Sequence, residues 1–121
     1  MTWVYSQSDG SLHLNDILVG IGYAGAGEGL NNPKDESIPN VGPIPKGFYN
    51  IGPSFTHPEA GPITMRLKPT AETNTFGRDG FLMHGDNMSL NHTASHGCII
   101  MNRTVRSTVA VSSDRLLQVV D

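Results

Sequence analysis

The chain has 121 residues, a formal net charge of -3 and only 16% charged side chains, against 14 glycines and 8 prolines. That length suffices for one domain, residues 1–121, because burial becomes marginal only near ~60 residues. The acidic balance leaves no basic stripe for nucleic-acid phosphates, no stretch approaches the ~20 apolar residues of a membrane span, and a lone cysteine rules out an internal disulfide or a multi-cysteine zinc cluster.

In chain order, Trp3–Gln7 and Ser11–Leu14 flank Ser-Asp-Gly and read as a hairpin. Asp16–Tyr23 is apolar and β-branched, a further strand. The pattern then dissolves. Asn32 followed by Pro33 predicts the cap and first residue of a brief helix that Pro39 stops. Pro43, Pro45 and Gly47 form a rigid turn into a strand over Phe48–Ile51. Ile63–Leu67 alternates as a half-buried strand, and Phe81–His84 is a short apolar run. Asn102 caps a helix bearing Val105 and Val109, and Leu116–Val120 closes the chain as a strand. The expectation is a mainly β fold, a sandwich or barrel, with one or two short helices. The N-terminus, MTWVYSQSDGSLHL, has neither the basic start nor the apolar run of a signal peptide, which predicts synthesis in the cytoplasm without one.

Gly20-Ile-Gly-Tyr-Ala-Gly25 matches G-x-G-x-x-G, but the residues that follow cannot open the helix a dinucleotide phosphate requires. These glycines instead serve a sharp turn or a close backbone approach. The chemistry gathers in Phe81-Leu-Met-His84-Gly85-Asp86-Asn87 and Ser95-His96-Gly97-Cys98-Ile99. A thiol attacks carbonyl carbon as the thiolate, so Cys98 needs a base, and His84 at a strand end can supply one. Gly97 lets amides around His96, Gly97 and Cys98 converge as an oxyanion hole. The tautomer of His84 can be held by the Gly85 carbonyl or by Asp86 or Asn87; the sequence leaves that choice open. Packing as a small buried apolar residue is the plain alternative for Cys98. His84, His92 and His96 also permit a zinc peptidase, although no acid stands between His92 and His96. His13 and His57 are expected on the surface.

Ser95-His96-Gly97-Cys98-Ile99 after His84-Gly85 resembles the signature of YkuD-like L,D-transpeptidases, and Gly42-Pro43-Ile44-Pro45-Lys46-Gly47-Phe48-Tyr49 resembles the turn entering a core strand of that family. Gly22-Tyr23-Ala24-Gly25, Gly27-Glu28-Gly29, Asn31-Asn32-Pro33 and Val41–Gly47 are further similar to L,D-transpeptidase-like effectors delivered by type VI secretion systems. The resemblance implies that Cys98 attacks a peptidoglycan stem at the carbonyl of an L-centred residue whose amide partner is D-alanine, with His84 as base and Ser95 and His96 shaping the pocket. Hydrolysis of the thioester gives L,D-carboxypeptidase activity, and an incoming D-amino acid gives exchange, without cofactor or metal. It also implies export to a target periplasm by the type VI machinery, and a cognate immunity protein. Many transpeptidases carry Arg where this chain has Ile100; Arg103 and Arg106 are the candidates to replace it. Tyr23, Asn31, Asn32 and Lys46, with Asp86 and Asn87, are the expected substrate contacts. A non-catalytic wall-binding module is the reading from a different class.

Overall fold

The computed structural model describes residues 1–87 and 95–121. Strand β1 (Thr2–Ser6) buries Trp3 and Tyr5 while its alternate residues stay partly exposed, as the two-residue strand period demands. It pairs antiparallel with β2 (Ser11–Leu14) and parallel with β10 (Leu116–Val120), which buries Leu117 and Val119 on the same schedule. β10 pairs with β5 (Gly47–Ile51), and β5 with the long β7 (Gly61–Pro69), which also takes the short β6 (Phe55–His57). Beyond β7 come β8 (Leu82–His84), β9 (Ile99–Ile100) and β4 (Tyr23–Ala24).

The opposite end of this path is β3 (Ile17–Ile21), paired with β2. The strand expected over residues 16–23 therefore splits at Gly22 into β3 and β4, which occupy the two ends of the strand order. One segment joins both ends, so the mixed sheet curls back on itself in a barrel-like sandwich. Gly22 permits this closure: a Cβ there would lie 1.8 Å from the Ile100 carbonyl oxygen, closer than any real contact. The glycines of the G-x-G-x-x-G match thus answer close packing: Gly20 against Val105, Gly22 against β9, and Gly25 against the Gly29 and Val41 carbonyls.

Trp3, Tyr5, Leu12, Ile44, Tyr49, Met65, Met83, Ile99 and Met101 fill the interior. Each such side chain stabilises the fold by about 1.5–3 kcal/mol on burial. Helix α1 (Arg103–Val111) starts where Asn102 Oδ1 accepts the Val105 N–H at 2.9 Å, and it buries Val105 and Val109 one turn apart. The brief helix after Asn32 is a single 3-10 turn, Pro33–Asp35, capped by Asn32 as expected but ending before Pro39. β6 and β9 escape the sequence reading because two or three residues carry no period.

Candidate active site

β8 and β9 run parallel, with Met83 opposite Ile99 and His84 opposite Ile100. Met83 and Ile99 point into the core. Cys98 directly precedes β9, so continuing the register sets it level with Leu82, two residues along the strand from His84. The segment that carries the thiol thus runs into the strand beside the one that ends at the imidazole. Cys98 lines a cleft of about 350 Å³ with Arg78, Gly80, Phe81 and Gly97, and His84 lines an adjoining one of about 340 Å³ with His57, Glu59 and Asp86. The exposed His96 belongs to both rims.

The turn carrying Cys98 is tied by Ser95. Its fully buried hydroxyl donates to the Cys98 carbonyl at 2.6 Å and accepts the N–H groups of Gly97 and Gly25, each at 3.0 Å. One side chain thus shapes the turn and anchors it to the loop after β4. Gly97 has φ 136°, and a Cβ on it would fall 2.3 Å from Arg78 Nη2, so both its conformation and its surroundings require glycine. Of the amides expected to form an oxyanion hole, the Gly97 N–H is committed to Ser95; the N–H groups that face the Cys98 sulfur are those of Leu82 and of Cys98 itself.

Burial pushes the Cys98 thiol above its ordinary range, while the Leu82 N–H, the Arg78 cation and its own N–H pull it back. The resting group is a thiol, with the Gly80 carbonyl 3.8 Å from its sulfur as acceptor.

His84 is 8% exposed, and its Nδ1 lies 2.8 Å from the Gly85 carbonyl. A carbonyl only accepts, so Nδ1 carries the proton and the lone pair of the neutral ring sits on Nε2. The choice left open among Gly85, Asp86 and Asn87 thereby falls on Gly85. Burial lowers the imidazole pKa, the Gly85 carbonyl opposes that, and the Arg106 cation and His57 lower it further. The imidazole is neutral near pH 7, as a base must be.

Arg78 went unnoticed in the sequence, where its signal is a cation bracketed by glycines in Gly77-Arg78-Asp79-Gly80, just before β8. It is 9% exposed. Its guanidinium donates to the carbonyls of Glu36 (2.5 Å), Gly42 and Pro43 (both 2.9 Å) and His96 (3.4 Å), and it lies over the Phe81 ring. His57, expected as a surface residue, lines the His84 cleft, where its Nδ1 accepts from the Glu59 and Ala60 N–H groups.

The remaining expected residues divide. Tyr23 donates to Asp86 Oδ1 at 2.6 Å, beside Ile100, Met101 and Arg106 in a third depression, and Asn87 lies on the rim of the His84 cleft. Asn31 Oδ1 accepts the Ala24 N–H, and Asn32 caps the 3-10 turn, so both side chains are engaged within their own loop. Lys46 bridges Glu36 and Asp121, each at 3.2 Å, and lines neither cleft. Arg106 sits against Gly85 and donates to the carbonyls of Met101, Pro62 and Ile63, whereas Arg103 is exposed on α1. His92, the third ligand of the zinc reading, lies outside the described residues; among those described, no group of three or more His, Cys, Asp or Glu could hold a metal. No described helix is long and apolar enough to cross a membrane.

The family model described as the Tlde1 domain matches residues 20–120, from the end of β3 to the end of β10. Among curated proteins, none matches the chain.

Proposed function

The chain belongs to the Tlde1 domain family, whose name denotes type VI secretion effectors of the L,D-transpeptidase kind, and from that membership together with the thiol–imidazole geometry we propose a cysteine-dependent enzyme of peptidoglycan stem peptides. Residues 1–121 act as one catalytic domain. The observation that supports the reading is His84: its Nδ1 is held by the Gly85 carbonyl, which leaves the lone pair on Nε2, and its strand β8 pairs with β9, which Cys98 directly precedes.

In the proposed cycle His84 Nε2 takes the thiol proton as sulfur bonds to the carbonyl carbon of the L-centred residue, diaminopimelate, ahead of D-alanine. In this cycle the N–H groups of Cys98 and Leu82, which face the sulfur at rest, turn to the developing oxyanion. Collapse breaks the C–N bond, and the imidazolium gives its proton to the departing amine, leaving a thioester on Cys98. Water, deprotonated by His84, then breaks the C–S bond and gives the shortened stem (L,D-carboxypeptidase). The amine of a D-amino acid in place of water gives exchange (L,D-transpeptidase). Ser95 and Gly97 hold the nucleophile's turn, and His96 borders the substrate on both sides. The same reading makes the type VI machinery the export route, the target periplasm the place of action, and a cognate immunity protein that blocks the Cys98 cleft a required partner.

The test is mass spectrometry of disaccharide-tetrapeptide muropeptides incubated with wild type, Cys98→Ala and His84→Ala, with and without D-methionine. Wild type should remove D-alanine or replace it with D-methionine. Cys98→Ala should give no product, and His84→Ala should slow the reaction by about 10²–10⁴-fold. An intact tetrapeptide after wild-type treatment would sink the proposal in favour of a wall-binding module. Alkylation rate alone does not separate those two readings, because burial keeps even a catalytic Cys98 protonated at rest.

A further inference from the structure

We infer that Arg78 is the positioning residue of the nucleophile: from the turn before β8 it clamps the Cys98 turn to the 36–43 loop and favours the thiolate through its charge. The inference rests on the thiol chemistry proposed above and deepens it.

Four backbone carbonyls, those of Glu36, Gly42, Pro43 and His96, converge on one guanidinium. Three belong to the loop whose Pro39 and Asn40 form the far wall of the Cys98 cleft, and the fourth belongs to the turn that carries the thiol. Without a cation among them, their negative ends would crowd the place where the sulfur must become an anion. A planar fork answers several acceptors in fixed directions, which an ammonium cannot do. The fork also lies against Gly97, where no side chain would fit, so the position of Arg78 and the glycine beside the nucleophile are one arrangement. Of the other arginines near the site, Arg106 stands behind Gly85 on the imidazole side, and Arg103 is exposed on α1.

Among the described residues, the charged and titratable groups lining the Cys98 cleft are Arg78 and Asp79 from the turn before β8 and His96 from the nucleophile's own turn, with His84 at the end of the neighbouring strand β8. Glu36 and Tyr49 lie behind Arg78 and act on it more directly than on the sulfur. Among these, Arg78 is the permanent cation.

Cys98 is the only cysteine, so its alkylation by iodoacetamide can be followed by intact mass across a pH series. The series compares wild type, Arg78→Gln, Arg78→Lys and, as control, Arg103→Gln, with thermal denaturation of each. Arg78→Gln should raise the apparent thiol pKa by about 1 unit. Arg78→Lys should keep the wild-type alkylation profile yet lose about tenfold or more of muropeptide turnover, because the charge remains and the fork does not. Arg103→Gln should leave the alkylation profile where it is. A folded Arg78→Gln protein with the wild-type profile overturns the inference, as does Arg78→Lys with wild-type turnover. If Arg78→Gln does not fold, the lysine variant decides: an unchanged profile with reduced turnover upholds the inference, and a displaced profile overturns it. Wild type inactive on muropeptides would defeat the proposed function, while the alkylation comparison would still judge the charge role of Arg78.

Discussion

The walls behind the thiol and behind the imidazole are built alike and act in opposite senses. Each contains a buried arginine saturated by backbone carbonyls: Arg78 gathers those of Glu36, Gly42, Pro43 and His96, and Arg106 those of Met101, Pro62 and Ile63. Each also stands against a glycine that a methyl group would drive into it, Gly97 and Gly85 respectively. Arg78 favours the charged form of Cys98, whereas Arg106 disfavours the charged form of His84. In the proposed mechanism the same device eases deprotonation of Cys98 and keeps His84 unprotonated until it takes the thiol proton.

The sharpest way to break the thiol wall is Ser95→Ala. It strands the buried N–H groups of Gly25 and Gly97, so the loss should be about 2–4 kcal/mol by denaturant unfolding, with activity falling in the folded fraction as well. A loss under about 0.5 kcal/mol would mean that the turn holds itself without Ser95.

The imidazole wall is probed by pH. The folded pKa of His84 is depressed, so its contribution to stability is present above the unfolded value of 6.5 and is lost as pH falls through the folded one. The acid limb of kcat/KM should accordingly lie below pH 6.5 in wild type. Arg106→Gln removes a nearby cation and should move that limb to higher pH. A limb that stays in place would show that burial alone sets the pKa of His84. The thiol contributes in the opposite direction: its folded pKa is raised, so its share of stability is complete below the unfolded value of 9.0 and is lost at more alkaline pH.

The smallest effect is expected at Lys46→Ala, remote from both walls. Its two ion pairs are exposed, so stability at physiological salt should change by no more than about 0.5 kcal/mol, with KM for the muropeptide unmoved. A clear rise in KM would return Lys46 to the substrate groove.

Much of the architecture was legible in advance where a period ran long enough to be read. β1, β5 and β10 follow two-residue alternation, β2 was marked by its turn to β1, and Asn102 with Val105 and Val109 announced α1. Asn32 was legible as a cap, and the Ser-His-Gly-Cys cluster with His84-Gly85 marked where chemistry would gather, because few structural needs put glycine beside a thiol between imidazoles. The roles inside that cluster were not legible. Whether Gly85, Asp86 or Asn87 orients His84 depends on where a carbonyl points, and whether the Gly97 amide is free depends on the Ser95 rotamer.

By itself, then, the sequence determined a mainly β chain and the segments that hold the candidate site, since periodicity, caps and turn residues act over a few neighbouring positions. Only the tertiary structure decided that one segment occupies both ends of the sheet at Gly22, that Arg78 reaches four carbonyls beside Cys98, and that Arg106 stands behind His84. These are contacts between residues far apart along the chain, and what pairs them is the demand that buried carbonyls and charges find partners, which leaves no local pattern to read.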